Sequence, residues 1–261
     1  MHNSLYYIPF LYLFKTRLKT KNGLISWFII YAIPVLFSFL FYTYQNIPEN
    51  IIISFISIAL IYCLYETGYI YNDTETVKKE LNPTIRLDND QLFYYEKNKF
   101  LIYASRIFLA ALLSLFLILY SHVYTYFFLI TSWSLLLFYY LYNSTRSIYN
   151  LPLHFILVSI RFCSVSLLFG TDVTIFIFLL LLFPIINLLE RTSEKRFKTS
   201  KYTHIIFNNK AKSRVIYYLI ISLLSFSLLT HDNIYELNIF FLFSFYYFIY
   251  RSSIFFFKLK K

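Results

Sequence analysis

Eight apolar runs broken by short polar connections set the pattern of this chain. They cover residues 24–44, 51–71, 101–120, 123–142, 151–169, 173–189, 215–230 and 234–250. An α-helix needs about 20 apolar residues to cross a hydrocarbon core of roughly 30 Å, so each run predicts a membrane span. The fold class expected is all-α: a polytopic membrane helical bundle forming one transmembrane domain over residues 1–261. Ahead of the first run the apolar stretch 5–14 precedes the basic residues, the reverse of a signal peptide. Residues 1–22 therefore predict an interfacial segment leading into the first span.

The connections alternate in charge. Those at 45–50, 121–122, 170–172 and 231–233 hold no lysine or arginine. The N-terminal segment, 72–100, 143–150, 190–214 and the C-terminal tail hold all of them except Arg106 and Arg161. Positive loops stay in the cytoplasm, so a multi-pass protein of the inner (plasma) membrane with both termini cytoplasmic is expected. The net charge of +11 follows from these loops and calls for no nucleic-acid partner.

Composition agrees with this pattern: 59% of residues are hydrophobic and 14% charged, which excludes an ordinary soluble domain. The 31 phenylalanines and 27 tyrosines fit interfacial aromatic belts and a codon bias toward such residues. Cys63 and Cys163 both lie inside apolar runs, which points to neither a disulfide framework nor a metal site.

Besides Glu236 at the edge of the last run, three charges inside the runs need partners, since a charge near the bilayer centre costs about 2.5–3.5 kcal/mol. Glu66 precedes Asp73 by two helical turns and shares its face. Arg106 enters only about 9 Å at helical rise and is short enough of the centre to snorkel. Arg161 lies about 16 Å beyond Asn150, close to the midplane, and must face the bundle interior.

The candidate chemistry gathers in three connections on the basic side. After the second run Asn72, Thr76 and Glu80 recur at four-residue spacing, so on a helix they form one polar row with Asp73 beside it. Oxygen donors at a membrane surface suit Mg²⁺, which binds few carboxylates and bridges to substrate phosphates. Pro83 should end that helix, and the guanidinium of Arg86 just beyond suits a phosphate. After the fourth run come Tyr142 and Arg146, and after the sixth Glu190, Glu194 and Lys195. Glu190 and Glu194 share a helical face; the same spacing is also that of an ordinary salt-bridged helix end.

The stretch from Asn72 to Glu80 resembles the first acidic motif of the UbiA superfamily of intramembrane prenyltransferases, written NDxxDxxxD, with Thr76 and Glu80 in place of its later aspartates. The following Asn-Pro-Thr-Ile-Arg is similar to a His-Pro-Thr-Lys-Arg stretch in the decaprenyl-phosphate phosphoribosyltransferase branch. The loops at Tyr142 and Glu190 resemble the family's YSxxLKR and second acidic motifs in their order along the chain. The resemblance implies eight to nine transmembrane helices. It also implies a Mg²⁺-dependent transferase joining a polyprenyl (phosphate) lipid to a diphosphate-bearing or aromatic co-substrate. On that reading Asn72, Asp73, Thr76, Glu80, Glu190 and Glu194 hold metal, while Arg86, Tyr142, Arg146, Arg161 and Lys195 serve the substrates. Two other readings remain open: a catalytically inactive homologue acting as a partner in lipid-linked glycan assembly, and a lipid or anion transporter.

Overall fold

The computed structural model describes residues 3–80, 83–120, 123–145, 147–194, 197, 199–229 and 235–259. Among these the chain is helical, with no strand. Its α-helices are α1 (Leu11–Thr16), α2 (Lys21–Trp27), α3 (Ile33–Leu36), α4 (Ile47–Tyr71), α5 (Asn89–Tyr120), α6 (Thr125–Ser144), α7 (Asn150–Cys163), α8 (Val173–Leu182), α9 (Pro184–Thr192), α10 (Ser200–Phe207), α11 (Lys210–Leu229) and α12 (Tyr235–Leu259).

Among the described residues six helical segments are long and apolar enough to cross a membrane: Ile47–Lys79, Asn89–Tyr120, Thr125–Ser144, Asn150–Leu168, Lys210–Leu229 and Tyr235–Phe257. The pair Val173–Leu182 and Pro184–Thr192, bent by 45°, makes a seventh if it counts as one span. The chain is thus a multi-pass helical membrane protein, with fewer full-length helices than its eight apolar runs. The bent sixth run and the first run account for the difference, and the first falls shorter still. It yields only the shorter apolar helix Lys21–Leu36. A π turn at Phe28–Ala32 widens that helix, with the Ile33 N–H bonded five residues back to Phe28. Pro34 then removes a backbone donor, and the chain tightens into a 3₁₀ turn at Ser38–Phe41.

Contacts divide the chain into two compact units: Met1–Phe37 with Gln45–Gly170, and Ser38–Tyr44 with Thr171–Lys261. In unit 1, α4 packs against both α5 and α6, and 56% of the most apolar window of Ile47–Lys79 is buried, as in Asn150–Leu168, against 22% for Asn89–Tyr120. It meets α6 where Gly68 faces Tyr139. A Cβ on Gly68 would lie 2.1 Å from Tyr139 Cγ, so the approach requires glycine. The Asn143 amide donates to the Gly68 carbonyl at 3.3 Å across the same contact. α5 starts well before its apolar run because Asp88 and Gln91 cap it reciprocally, each side chain accepting from the other's backbone N–H at 2.8 and 3.1 Å.

The N-terminal segment, a 3₁₀ turn at Asn3–Tyr6 followed by α1, folds onto this unit with Leu5, Tyr6, Tyr12 and Leu13 buried. Its seat is an ion pair between Glu66 of α4 and Arg106 of α5, 2.7 Å long, with both side chains 0% exposed. Glu66 accepts the N–H groups of Phe10 (3.1 Å) and Leu13 (2.7 Å), which α1 cannot satisfy itself. Arg106 donates to the carbonyls of Tyr6, Leu5 and Ile8 at 2.6, 3.3 and 3.2 Å. Phe10 enters α1 with φ 69°, a left-handed conformation unusual for so bulky a residue, and the Glu66 bond lies on its N–H. Arg106 therefore does not snorkel; its charge is consumed by Glu66 and three backbone carbonyls.

In unit 2 the sixth run breaks at Phe183–Pro184, where the proline lacks an N–H and α9 departs from α8. Tyr217 and Tyr218 of α11 donate to the carbonyls of Leu181 (2.6 Å) and Leu182 (2.8 Å) at that break, a repair that hydrocarbon surroundings demand. α11 and α12 pack antiparallel: the rings of Tyr218 and Tyr247 stack at 5.0 Å, and Ser225 lies 3.4 Å from Ser244.

Candidate functional site

The polar row expected after the second run is reorganised. α4 passes into a π turn at Asn72–Thr76 and a 3₁₀ turn at Val77–Lys79, and Glu80 is already extended at φ −95°, ψ 137°. The wide turn and the narrow turn rotate the side chains by different amounts, so Asn72, Thr76 and Glu80 do not form one α-helical row. Thr76 is buried, and its hydroxyl has no hydrogen-bond partner among the described residues.

Asp73 becomes the centre instead. Its side chain is 0% exposed. Oδ1 accepts from Arg17 Nη2 at 2.8 Å, Arg86 Nη1 at 3.1 Å and Asn72 Nδ2 at 3.2 Å, while Oδ2 accepts from the Tyr12 hydroxyl at 3.1 Å. Burial, and then the negative charge of Asp73, push the Tyr12 phenol far above the ordinary tyrosine range, so it keeps its proton and donates. One carboxylate thus ties together α1 and the residue after it, the end of α4, and the strand-like stretch before α5.

A pocket of about 480 Å³ is lined in part by Arg86. It is lined by Lys15, Lys19 and Arg86, with Thr16 and Gln91 as neutral donors and Asp88 as its carboxylate. Three cations against one anion leave it basic. Arg17 also covers the Tyr69 ring at 4.5 Å. Tyr69 stands edge-on to Tyr65 at 5.1 Å, and Arg161 covers Tyr65 at 4.8 Å and Tyr31 at 5.2 Å. Arg161 faces the interior as expected, but through aromatic faces rather than a carboxylate, and its Nε has no hydrogen-bond partner. Tyr142 packs near Tyr139 and His154, with ring centroids 6.3 and 6.1 Å away.

In unit 2, Glu190 ends in a two-pronged pair with Arg214: Nη2 to Oε2 at 2.6 Å, and Nε to Oε1. Glu194 lies beyond the end of α9, so it does not continue the Glu190 face; it sits 3.9 Å from Arg191. Arg146 and Lys195 lie outside the described residues.

Among the described residues no group of three or more His, Cys, Asp or Glu side chains could hold a metal ion. Both oxygens of Asp73 and both of Glu190 already accept from arginine or from a neutral donor, and adjoining guanidinium charge opposes a divalent cation. The set does not fit Mg²⁺ in this arrangement. What it offers is positive charge for an anion. Tyr12, which braces Asp73, and Lys15, Arg17, Lys19 and Arg214, which supply the charge, were missed by motif reading. The one sequence signal for the first four was the basic end of the N-terminal segment. Compared with known proteins, the chain matches no family model, no curated protein and no solved structure.

Proposed function

We propose that this protein binds the phosphate or diphosphate group of a polyprenyl lipid in unit 1 and acts there as an intramembrane transferase of the UbiA type. The observation that carries the reading is the pocket in which Lys15, Lys19 and Arg86 converge beside the buried Asp73. Arg86 is held in place by Asp73, so its remaining N–H groups are oriented before a ligand arrives, and lysines supply mobile point charges around it. The charge segregation along the sequence supports a cytoplasmic position for this end of the unit and a plasma-membrane location. The UbiA resemblance supplies the reaction class: transfer between the lipid and a diphosphate-bearing or aromatic co-substrate. A second reading, a binding homologue without turnover, is favoured by one observation, the occupation of both Asp73 oxygens by the protein's own donors.

The test supplies labelled polyprenyl phosphate to the purified protein and to the Lys15→Gln/Lys19→Gln/Arg86→Gln variant. Wild type should bind, and the variant should lose at least about tenfold in affinity, as expected when charge-assisted contacts to phosphate are removed. Equal binding by the two proteins would sink the reading. Turnover is then assayed with phosphoribosyl diphosphate as co-substrate, and separately with prenyl diphosphate and aromatic acceptors, each with Mg²⁺ supplied. Product formation selects the transferase; binding without product selects the silent homologue.

A further inference from the structure

The sequence places Arg214 and Arg251 outside the apolar runs, among the residues of basic connections, yet the structure puts both inside helices. The stacked pair Tyr218 and Tyr247 fixes the level of α11 against α12. Arg214 lies one turn before Tyr218 and Arg251 one turn after Tyr247. In an antiparallel pair those two steps lead toward the same end, so the two guanidiniums share a level. Tyr218 lies within electrostatic reach of Arg251, Arg214 and Glu190 alike.

The charges there do not balance. Glu190 gives both carboxylate oxygens to Arg214. Arg251 is 8% exposed, and its Nε is buried without a hydrogen-bond partner. Its contact with an aromatic face is the Tyr250 ring at 5.8 Å, and among the described residues it forms no ion pair. A buried guanidinium beside a second one is costly unless an anion joins them. Arg214, with its side chain 31% exposed, leaves a way in.

We propose that Arg251 and Arg214 form an oxyanion site in unit 2, distinct from the unit 1 pocket and specific for a phosphate group. Two guanidinium forks presented from facing helices match tetrahedral phosphate oxygens better than a single point charge would. The phosphate can come from an anionic lipid headgroup or from a free diphosphate; the site chemistry is the same.

The experiment uses the full chain carrying Lys15→Gln and Lys19→Gln, which weakens the unit 1 pocket and leaves unit 2 intact. In nanodiscs of neutral phosphatidylcholine, inorganic diphosphate is titrated while the unfolding temperature is followed, since a ligand of the folded state raises it. In a second arm, phosphatidylglycerol replaces part of the neutral lipid, and retained lipid is counted by native mass spectrometry. A rise with diphosphate alone identifies a free anion, retention of phosphatidylglycerol alone a headgroup, and both together a site that takes either. Adding Arg251→Gln should shift the midpoint concentration upward by at least about tenfold. Arg251→Lys keeps the charge without the fork and should fall between the two, which covers the case in which Arg251→Gln does not fold. No response in either arm, or an Arg251→Gln response equal to its background, overturns the site. Because Arg251→Gln is compared with a background whose unit 1 residues are identical, its effect is independent of the unit 1 reading.

Discussion

Asp73 in unit 1 and Glu190 in unit 2 are both buried carboxylates gripped by arginine, and they distribute their oxygens in opposite ways. Asp73 spreads its oxygens over two arginines, a tyrosine and an asparagine drawn from three separate segments. Glu190 gives both oxygens to one guanidinium. Sharing makes Asp73 a knot that fixes the backbone around a pocket, with Arg17 and Arg86 still 17% and 27% exposed. Monopoly makes Glu190 a local clip and leaves Arg251 with a charge to satisfy. Equal numbers of acids and arginines can therefore build either a scaffold or a vacancy for an anion. Which one results depends on how many donors each carboxylate accepts.

The comparison can be broken by unfolding measurements in mixed micelles. Asp73→Ala should show the largest effect, a loss of about 3 kcal/mol, because it strips the shared acceptor from several donors at once. A loss no greater than that of Glu190→Gln would erase the distinction between knot and clip. Glu190→Gln should cost less, about 1.5–2 kcal/mol, since only Arg214 loses its charged acceptor and Arg214 is partly solvated. The same variant should tighten diphosphate binding to unit 2, because it removes the anion that competes for Arg214. Weaker diphosphate binding would show that Glu190 organises the site instead of competing with a ligand. Smallest is Tyr12→Phe, about 1 kcal/mol, which deletes one of four donors and leaves both arginines on Asp73. A larger loss would mean that the hydroxyl, and not the guanidiniums, anchors the N-terminal segment.

Periodicity and charge carried the sequence reading a fair distance. Apolar runs gave the helical membrane class, and depth along its run put Arg161 in the interior, where the structure has it. The partners were not legible. Arg17 reaches Asp73 across 56 residues, and Arg214 reaches Glu190 across 24, and no local pattern encodes such pairs. The row at Asn72, Thr76 and Glu80 failed for a different reason: four-residue spacing means one face only while the α-helix persists, and a π turn starts at Asn72. Arg106 misled through its depth. A long side chain close to the edge of a run can reach water, but here carbonyls of the N-terminal segment stand in the way and accept its protons. The break at Pro184 inside the run 173–189 went unread, and the tyrosines that repair it lie 36 residues beyond the carbonyls they bond.

The seat of the N-terminal segment also sets a timetable. Leu13 finds its acceptor 53 residues later in the chain, and Tyr6 its donor 100 residues later. At ribosomal rates of about 5–20 residues per second, roughly 5–20 s separate the making of Tyr6 from the appearance of Arg106. During that interval α4 and α5 have to be threaded into the bilayer while the earlier segment waits beside it, its carbonyls bonded to water. Among the first pieces of unit 1 to be translated, it is among the last to be locked, and the basic pocket it walls cannot exist until then.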